Sequence, residues 1–121
     1  MTSAIAGKRI LLVEDEFIIA AMAEDILTEL GATVIGPAST IVAALKLAKT
    51  EAIDAAVLDV NMEGERIDPV AEVLRARGVP MVFTTGYGAG GVSGTQAPVL
   101  DKPYTQDKLA DALSRALQGA P

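Results

Sequence analysis

The chain contains neither cysteine nor histidine. Without cysteine there is no disulfide, no thiolate metal site and no thiol nucleophile. Without histidine there is no Ser-His-Asp triad, no imidazole-bound zinc and no phosphohistidine made on this chain. Any metal must sit among oxygen donors, which favours Mg²⁺, Ca²⁺ or Mn²⁺. Aromatic residues are only 3% of the chain while half of it is hydrophobic, so the core must be built from Ala, Val, Leu and Ile. No apolar run approaches the ~18 residues of a membrane span, and no signal-peptide core with a cleavage site follows the stretch Met1 to Arg9. A cytoplasmic protein with no membrane partner is expected. The net charge is −6 and the basic residues are scattered, which argues against nucleic acid, whose phosphates need a basic face.

What is present is a regular alternation of short apolar runs with helical patterns. The 121 residues are one domain's worth, read as a single domain over 1–121 with no output domain after the last helix. Arg9-Ile10-Leu11-Leu12-Val13 reads as a first strand. A helix follows from about Phe17 to Leu30, with Ile18 or Ile19, Met22, Ile26 and Leu30 at helical spacing and Gly31 as its stop. Thr33 to Gly36 is a short second strand, nearer a sheet edge because Gly36-Pro37 breaks it. Ser39 or Thr40 then caps a helix carrying Ile41, Leu45 and Ala48. The third strand is the stretch Ala56 to Met62, a short apolar run with Asp59 at the carboxyl end of the strand, as a central strand covered on both faces would be. A polar loop, Glu63 to Arg66, leads to Asp68-Pro69, read as N-cap and first-turn proline of a third helix that ends at Gly78. Pro80 to Thr84 is a fourth strand and Val99-Leu100 a very short fifth. Thr105 caps the last helix, where Leu109, Leu113 and Leu117 form a core stripe, as Ile18, Met22 and Ile26 do on the first helix. Between strands four and five, Gly86 to Gly94 holds five glycines in nine residues. Each glycine costs a helix about 0.8–1 kcal/mol relative to alanine, so a mobile loop is expected there. No G-x-x-x-x-G-K-[ST] occurs, and the stretch is not read as a nucleotide loop. Strands and helices alternating in this way make a three-layer α/β domain on a parallel sheet.

In such sheets, chemistry gathers at the carboxyl ends of the strands. Polar groups stand at four of those ends: Glu14-Asp15, Asp59, Thr84-Thr85 and Lys102. Bringing Glu14, Asp15 and Asp59 together is unfavourable unless a cation neutralises them, and a hard divalent ion such as Mg²⁺ suits oxygen ligands. A carboxylate beside it can attack phosphorus and form an aspartyl phosphate. Lys102 is a candidate cation for the transferring group, and a Thr hydroxyl ending strand four can bond a phosphoryl oxygen.

Taken in order, Val13-Glu14-Asp15-Glu16, Leu58-Asp59-Val60-Asn61-Met62, Thr85-Gly86 and Lys102-Pro103-Tyr104 resemble the receiver domain of two-component response regulators. The resemblance covers nearly the whole chain. It implies a flavodoxin-like three-layer sandwich with a five-stranded parallel sheet in the order 2-1-3-4-5, an order carried over from the family. It implies Asp59 as phosphoacceptor. Asp15 would bind Mg²⁺ directly and Glu14 largely through water, with Asp59 itself and the backbone carbonyl of Asn61 completing the metal ligands. Thr85 would be the switch hydroxyl, in preference to Thr84, and Lys102 would pair with the phosphoryl group across a Lys102-Pro103 bond that is commonly cis in the family. The implied partner is a histidine kinase or phosphotransfer protein. The chain would be no enzyme beyond its own phosphorylation and dephosphorylation. It would signal by protein contact or act as a phosphate shuttle or sink, or be a receiver cut from a longer hybrid protein.

Three features depart from the family pattern. The fourth helix falls on the Gly-rich span and is expected to be short or disordered. Val99 stands where a switch aromatic is usual, and the loop after Asn61 lacks the common Pro and Asp-Gly pattern. Phe83-Thr84-Thr85-Gly86-Tyr87 is similar to a stand-alone subgroup with a Phe-Ala-Thr-Gly signature, linked to kinases of alphaproteobacterial type. Tyr87 and Tyr104 read as packing or surface residues. Two other functions compete. A Mg²⁺-dependent phosphohydrolase with an aspartyl-phosphate intermediate would use Asp59-Val60-Asn61 as an Asp-x-Asp motif, but that motif normally closes the first strand and the cap domain is missing. A binding-only pseudo-receiver would keep the acidic site as structure, against which stands the intact set of Glu14, Asp15, Asp59, Thr85 and Lys102.

Overall fold

The computed structural model describes residues 4–62, 64–86 and 97–119. In chain order the elements are β1 (Arg9–Val13), α1 (Phe17–Glu29), β2 (Thr33–Ala38), α2 (Ile41–Thr50), β3 (Ala55–Asp59), β4 (Asn61–Met62), β5 (Glu65–Arg66), α3 (Asp68–Ala76), β6 (Met81–Thr85), β7 (Val99–Asp101) and α4 (Gln106–Gly119). Five strands form one sheet in the order β2-β1-β3-β6-β7, every neighbouring pair parallel. With β4 and β5 set aside as a separate hairpin, this is the expected 2-1-3-4-5 order, with β2 and β7 at the edges. Among the described residues no helix is long and apolar enough to cross a membrane.

The central strand β3 is buried along its full length, which is why its sequence is apolar without alternation. Side chains still alternate faces along each strand, and two core clusters result. Leu11, Val13, Ala56, Leu58 and Phe83 face α2 and α3 on one side. Ile10, Leu12, Ala55, Val57 and Val82 face α1 and α4 on the other.

The helix termini follow local chemistry. Thr40 caps α2 by accepting from Ala43 N–H at 3.1 Å, and Thr105 does the same for α4 through Lys108 N–H at 3.2 Å. Gly78 closes α3 with φ +73°, the left-handed conformation that glycine adopts without a Cβ penalty. Asp68, expected as the cap of α3, is instead its first helical residue: Ile67 holds the cap position, fully buried in the core, while the Asp68 carboxylate pairs with Arg66 at 3.4 Å.

The core stripe of α1 is not Ile18-Met22-Ile26. Ile18 is 80% exposed, Met22 only half-buried, and the buried residues are Ala20, Ala23, Ile26 and Leu27. Packing on the sheet, rather than the spacing of its largest apolar residues, sets the rotational phase of the helix. Two alanines on the inner face also let it lie close to the sheet. On α4, Leu109 and Leu113 are fully buried, whereas Leu117 is half-buried against the same cluster. The polar loop expected before α3 contains a hairpin, Asn61 pairing with Arg66 and Met62 with Glu65, turned at Gly64. Two-residue strands carry no periodicity to read. Residues 87–96, on which the mobile Gly-rich loop, Tyr87 and the short or disordered fourth helix are expected, lie outside the described residues.

Candidate functional site

Register brings the functional residues into one row. Val13 pairs with Leu58, so Glu14 and Asp59 leave adjacent strands side by side. Asp59 pairs with Thr84, and Thr85 with Asp101, which delivers Lys102 to the same end of the sheet. Backbone bonds lock the row: Val60 N–H donates to the Thr84 carbonyl and Lys102 N–H to the Thr85 carbonyl, each at 2.9 Å. The Lys102-Pro103 peptide is cis, as the family resemblance implies.

At the centre is the Lys102 ammonium. It lies 2.8 Å from Glu16 Oε1, 3.2 Å from Asp59 Oδ2 and 3.3 Å from both oxygens of Glu14. The side chains of Glu14, Asp59 and Lys102 are only 2%, 3% and 6% exposed, whereas Glu16 is 58% exposed. Buried charges persist when they are paired and hydrogen-bonded, and here one ammonium answers several carboxylates. The Glu16 N–H also donates to Glu14 Oε2 at 3.0 Å.

This crowding perturbs the titrations. Burial pushes the Glu14 carboxyl up to about 7, helped by the charge of Asp59 and opposed by the hydrogen bond from the Glu16 backbone and by Lys102. For Lys102, burial disfavours the charged form, but the Glu16 hydrogen bond and the charges of Glu14 and Asp59 outweigh it, so the ammonium is held more firmly than usual. Tyr104, 5% exposed, has its phenol pushed to about 12, chiefly by burial and then by the charge of Glu14. It packs with Leu109 and Leu113, which agrees with a packing role.

Glu14, Asp15 and Asp59 each offer one carboxylate oxygen, and these oxygens all lie within 4.8 Å of one another. An all-oxygen set with two buried members and a half-buried Asp15 fits a hard divalent cation that keeps part of its water shell. Thr84 and Thr85 are both buried, and strand alternation sends their side chains to opposite faces. Asn61 opens β4 two residues beyond Asp59. Glu16 has no role in the pattern of strand-end residues legible in the sequence. The available signal was a third acid in a row at the start of a helix, where Ser, Thr, Asp or Asn is the usual cap.

Residues 10–114 match the response regulator receiver domain family. No curated protein matches the chain in sequence. Solved structures do. SdrG from Sphingomonas melonis Fr1 is 42% identical, with 94% of this chain aligned to 98% of that one and a TM-score of 0.78. A response regulator receiver protein from Sinorhizobium medicae WSM419 is 28% identical over 96% of this chain and 98% of its own, with a TM-score of 0.82. The response regulator PhyR from Brucella abortus is 29% identical over 93% of this chain but only 49% of its own length, with a TM-score of 0.83.

Proposed function

The chain belongs to the response regulator receiver domain family, and from that premise we propose that it accepts a phosphoryl group on Asp59 from a phosphohistidine of a partner kinase or phosphotransfer protein. The observation that carries this reading is the buried Asp59 carboxylate, 3.2 Å from the Lys102 ammonium and within the Glu14-Asp15 oxygen cluster.

An Asp59 oxygen attacks phosphorus in line. A P–O bond forms as the P–N bond to the imidazole breaks, and the imidazole leaves with the electron pair and takes a proton. Lys102 turns its ammonium to the phosphoryl oxygens, exchanging a carboxylate partner for a phosphoryl one. Thr85, at the end of β6, donates its hydroxyl to another. Glu14, Asp15, Asp59 and the backbone carbonyl of Asn61 would hold Mg²⁺, which supplies neutralisation of the charge on the transferring group. The added charge of about −1.5 to −2 then reorders neighbouring segments. Output is by protein contact or by passing the phosphoryl group on, in a cytoplasmic setting. The stretch Phe83-Thr84-Thr85-Gly86-Tyr87 supports placing the chain in the Phe-Ala-Thr-Gly subgroup.

The test is intact mass after incubation with acetyl phosphate, with and without Mg²⁺, for wild type beside Asp59→Asn. A Mg²⁺-dependent gain of one phosphoryl group in wild type alone is the expected result. An equal gain in Asp59→Asn overturns the assignment.

A further inference from the structure

We infer that Glu16 is a positioning residue for Lys102: its carboxylate anchors the ammonium at the rim of the pocket and thereby keeps the buried carboxylates available to a divalent cation. The inference rests on the proposed Mg²⁺ site and deepens it.

Two observations meet at residue 16. It occupies the N-cap position of α1 in an extended conformation, yet its side chain makes no capping hydrogen bond. A cap side chain ordinarily turns back to the free N–H groups of the first turn. Here it reaches instead across 86 positions of sequence to Lys102, and at 2.8 Å makes the shortest of that ammonium's carboxylate contacts. Meanwhile the residue's own N–H holds Glu14 Oε2 at 3.0 Å. One residue therefore orients a buried carboxylate with its backbone and draws the competing cation outward with its side chain.

The consequence follows from the burial gradient. Lys102 lies between two carboxylates that are almost fully buried and one that is 58% exposed. Glu14 and Asp59 also belong to the oxygen cluster, whereas Glu16 does not. Remove the rim carboxylate and, among the described residues, the remaining carboxylate contacts of the ammonium are Glu14 and Asp59. The lysine then settles among the oxygens a metal needs and has to be displaced when one binds. Glu16 thus sets the balance between the internal and the external cation.

The experiment is a Mg²⁺ titration by calorimetry on wild type, Glu16→Gln, Lys102→Met and the double variant. Glu16→Gln keeps the length of the side chain and removes its charge. In the wild-type background it should raise the Mg²⁺ Kd roughly threefold to fivefold, the scale that a part-exposed ion pair supplies. In the Lys102→Met background the same substitution should change Kd less than about twofold, because the partner through which it acts is gone. An equal loss in both backgrounds overturns the inference, since Glu16 would then act on the cation by its charge alone. An unchanged Kd in the wild-type background overturns it too. A second readout needs no metal and no Lys102 variant. The Lys102 ammonium resonance of the metal-free protein, assigned through its side-chain carbons, should shift or broaden in Glu16→Gln. An unchanged resonance overturns the inference even if Lys102→Met fails to fold. Absence of Mg²⁺ binding in wild type would instead count against the phosphoacceptor reading, with the resonance still deciding the Glu16–Lys102 pair.

Discussion

Lys102 Nζ stands 3.2 Å from Asp59 Oδ2, although the two residues are 43 positions apart and lie on non-adjacent strand ends, with β6 between them. The contact spans the sheet because each parallel strand hands its polar residue to the same end of the sheet. It gives the Asp59 carboxylate, the group proposed to attack phosphorus, a buried positive neighbour.

Asp59→Asn should abolish acyl-phosphate formation and leave the fold intact. The substitution removes the proposed nucleophile with almost no change in volume, and the buried Lys102 retains its contacts with Glu14 and Glu16. Circular dichroism and intact mass check the two halves of the statement.

Asp15→Asn should weaken Mg²⁺ binding by about tenfold or more, a loss of ~1.4 kcal/mol from one proposed direct ligand. Calorimetric titration reads it. Unchanged affinity would move the cation site away from the Glu14-Asp15-Asp59 cluster.

Lys102→Met should reduce phosphorylation by acetyl phosphate at saturating Mg²⁺. The ammonium proposed to neutralise the phosphoryl oxygens is lost, and removal of such a contact typically costs about 10²-fold or more in rate. Initial rates by mass spectrometry decide. A wild-type rate would leave Lys102 with a structural role only.

In metal-free protein, stability should fall as pH rises through the interval from 4.5 to about 7. The sign follows from linkage. Glu14 titrates higher in the folded state than in the unfolded chain, so the native state holds the extra proton in that window, and the advantage is gone above it. Lys102 shifts upward as well, so its contribution is present throughout this interval and is lost only at strongly alkaline pH. Urea midpoints in chelator at about pH 5 and pH 8 should differ for wild type more than for Glu14→Gln. Equal pH dependence in the two proteins would remove Glu14 as the cause. Mg²⁺ should suppress the effect by favouring the ionised carboxylate.

Leu58→Ala should destabilise the protein by about 2–5 kcal/mol, the range for truncating a fully buried leucine. Leu58 is 0% exposed at the centre of the sheet. A loss under ~1 kcal/mol would mean that α2 and α3 close over the cavity.

Much of this protein was legible in one dimension. The strand sequence Arg9 to Val13, the unbroken apolar run before Asp59 and the caps at Thr40, Gly78 and Thr105 are local patterns, and each is dictated by burial or by the free groups at a helix end. The acids after β1, the acid that ends β3 and the lysine after β7 could be named as one site because parallel topology sends every strand's carboxyl end to the same end of the sheet. What tertiary structure decided was rotation, reach and partnership. Ile18 and Leu27 are equally apolar in sequence, yet one is exposed and the other buried, since only packing on the sheet sets the phase of α1. Asp68 and Glu16 both sit beside helix starts, yet one pairs with a neighbour two residues away and the other with Lys102. Sequence spacing reports which side chains share a strand or a helix face. It carries no information on which charges meet across the fold, because that depends on where the backbone of every intervening element has been placed.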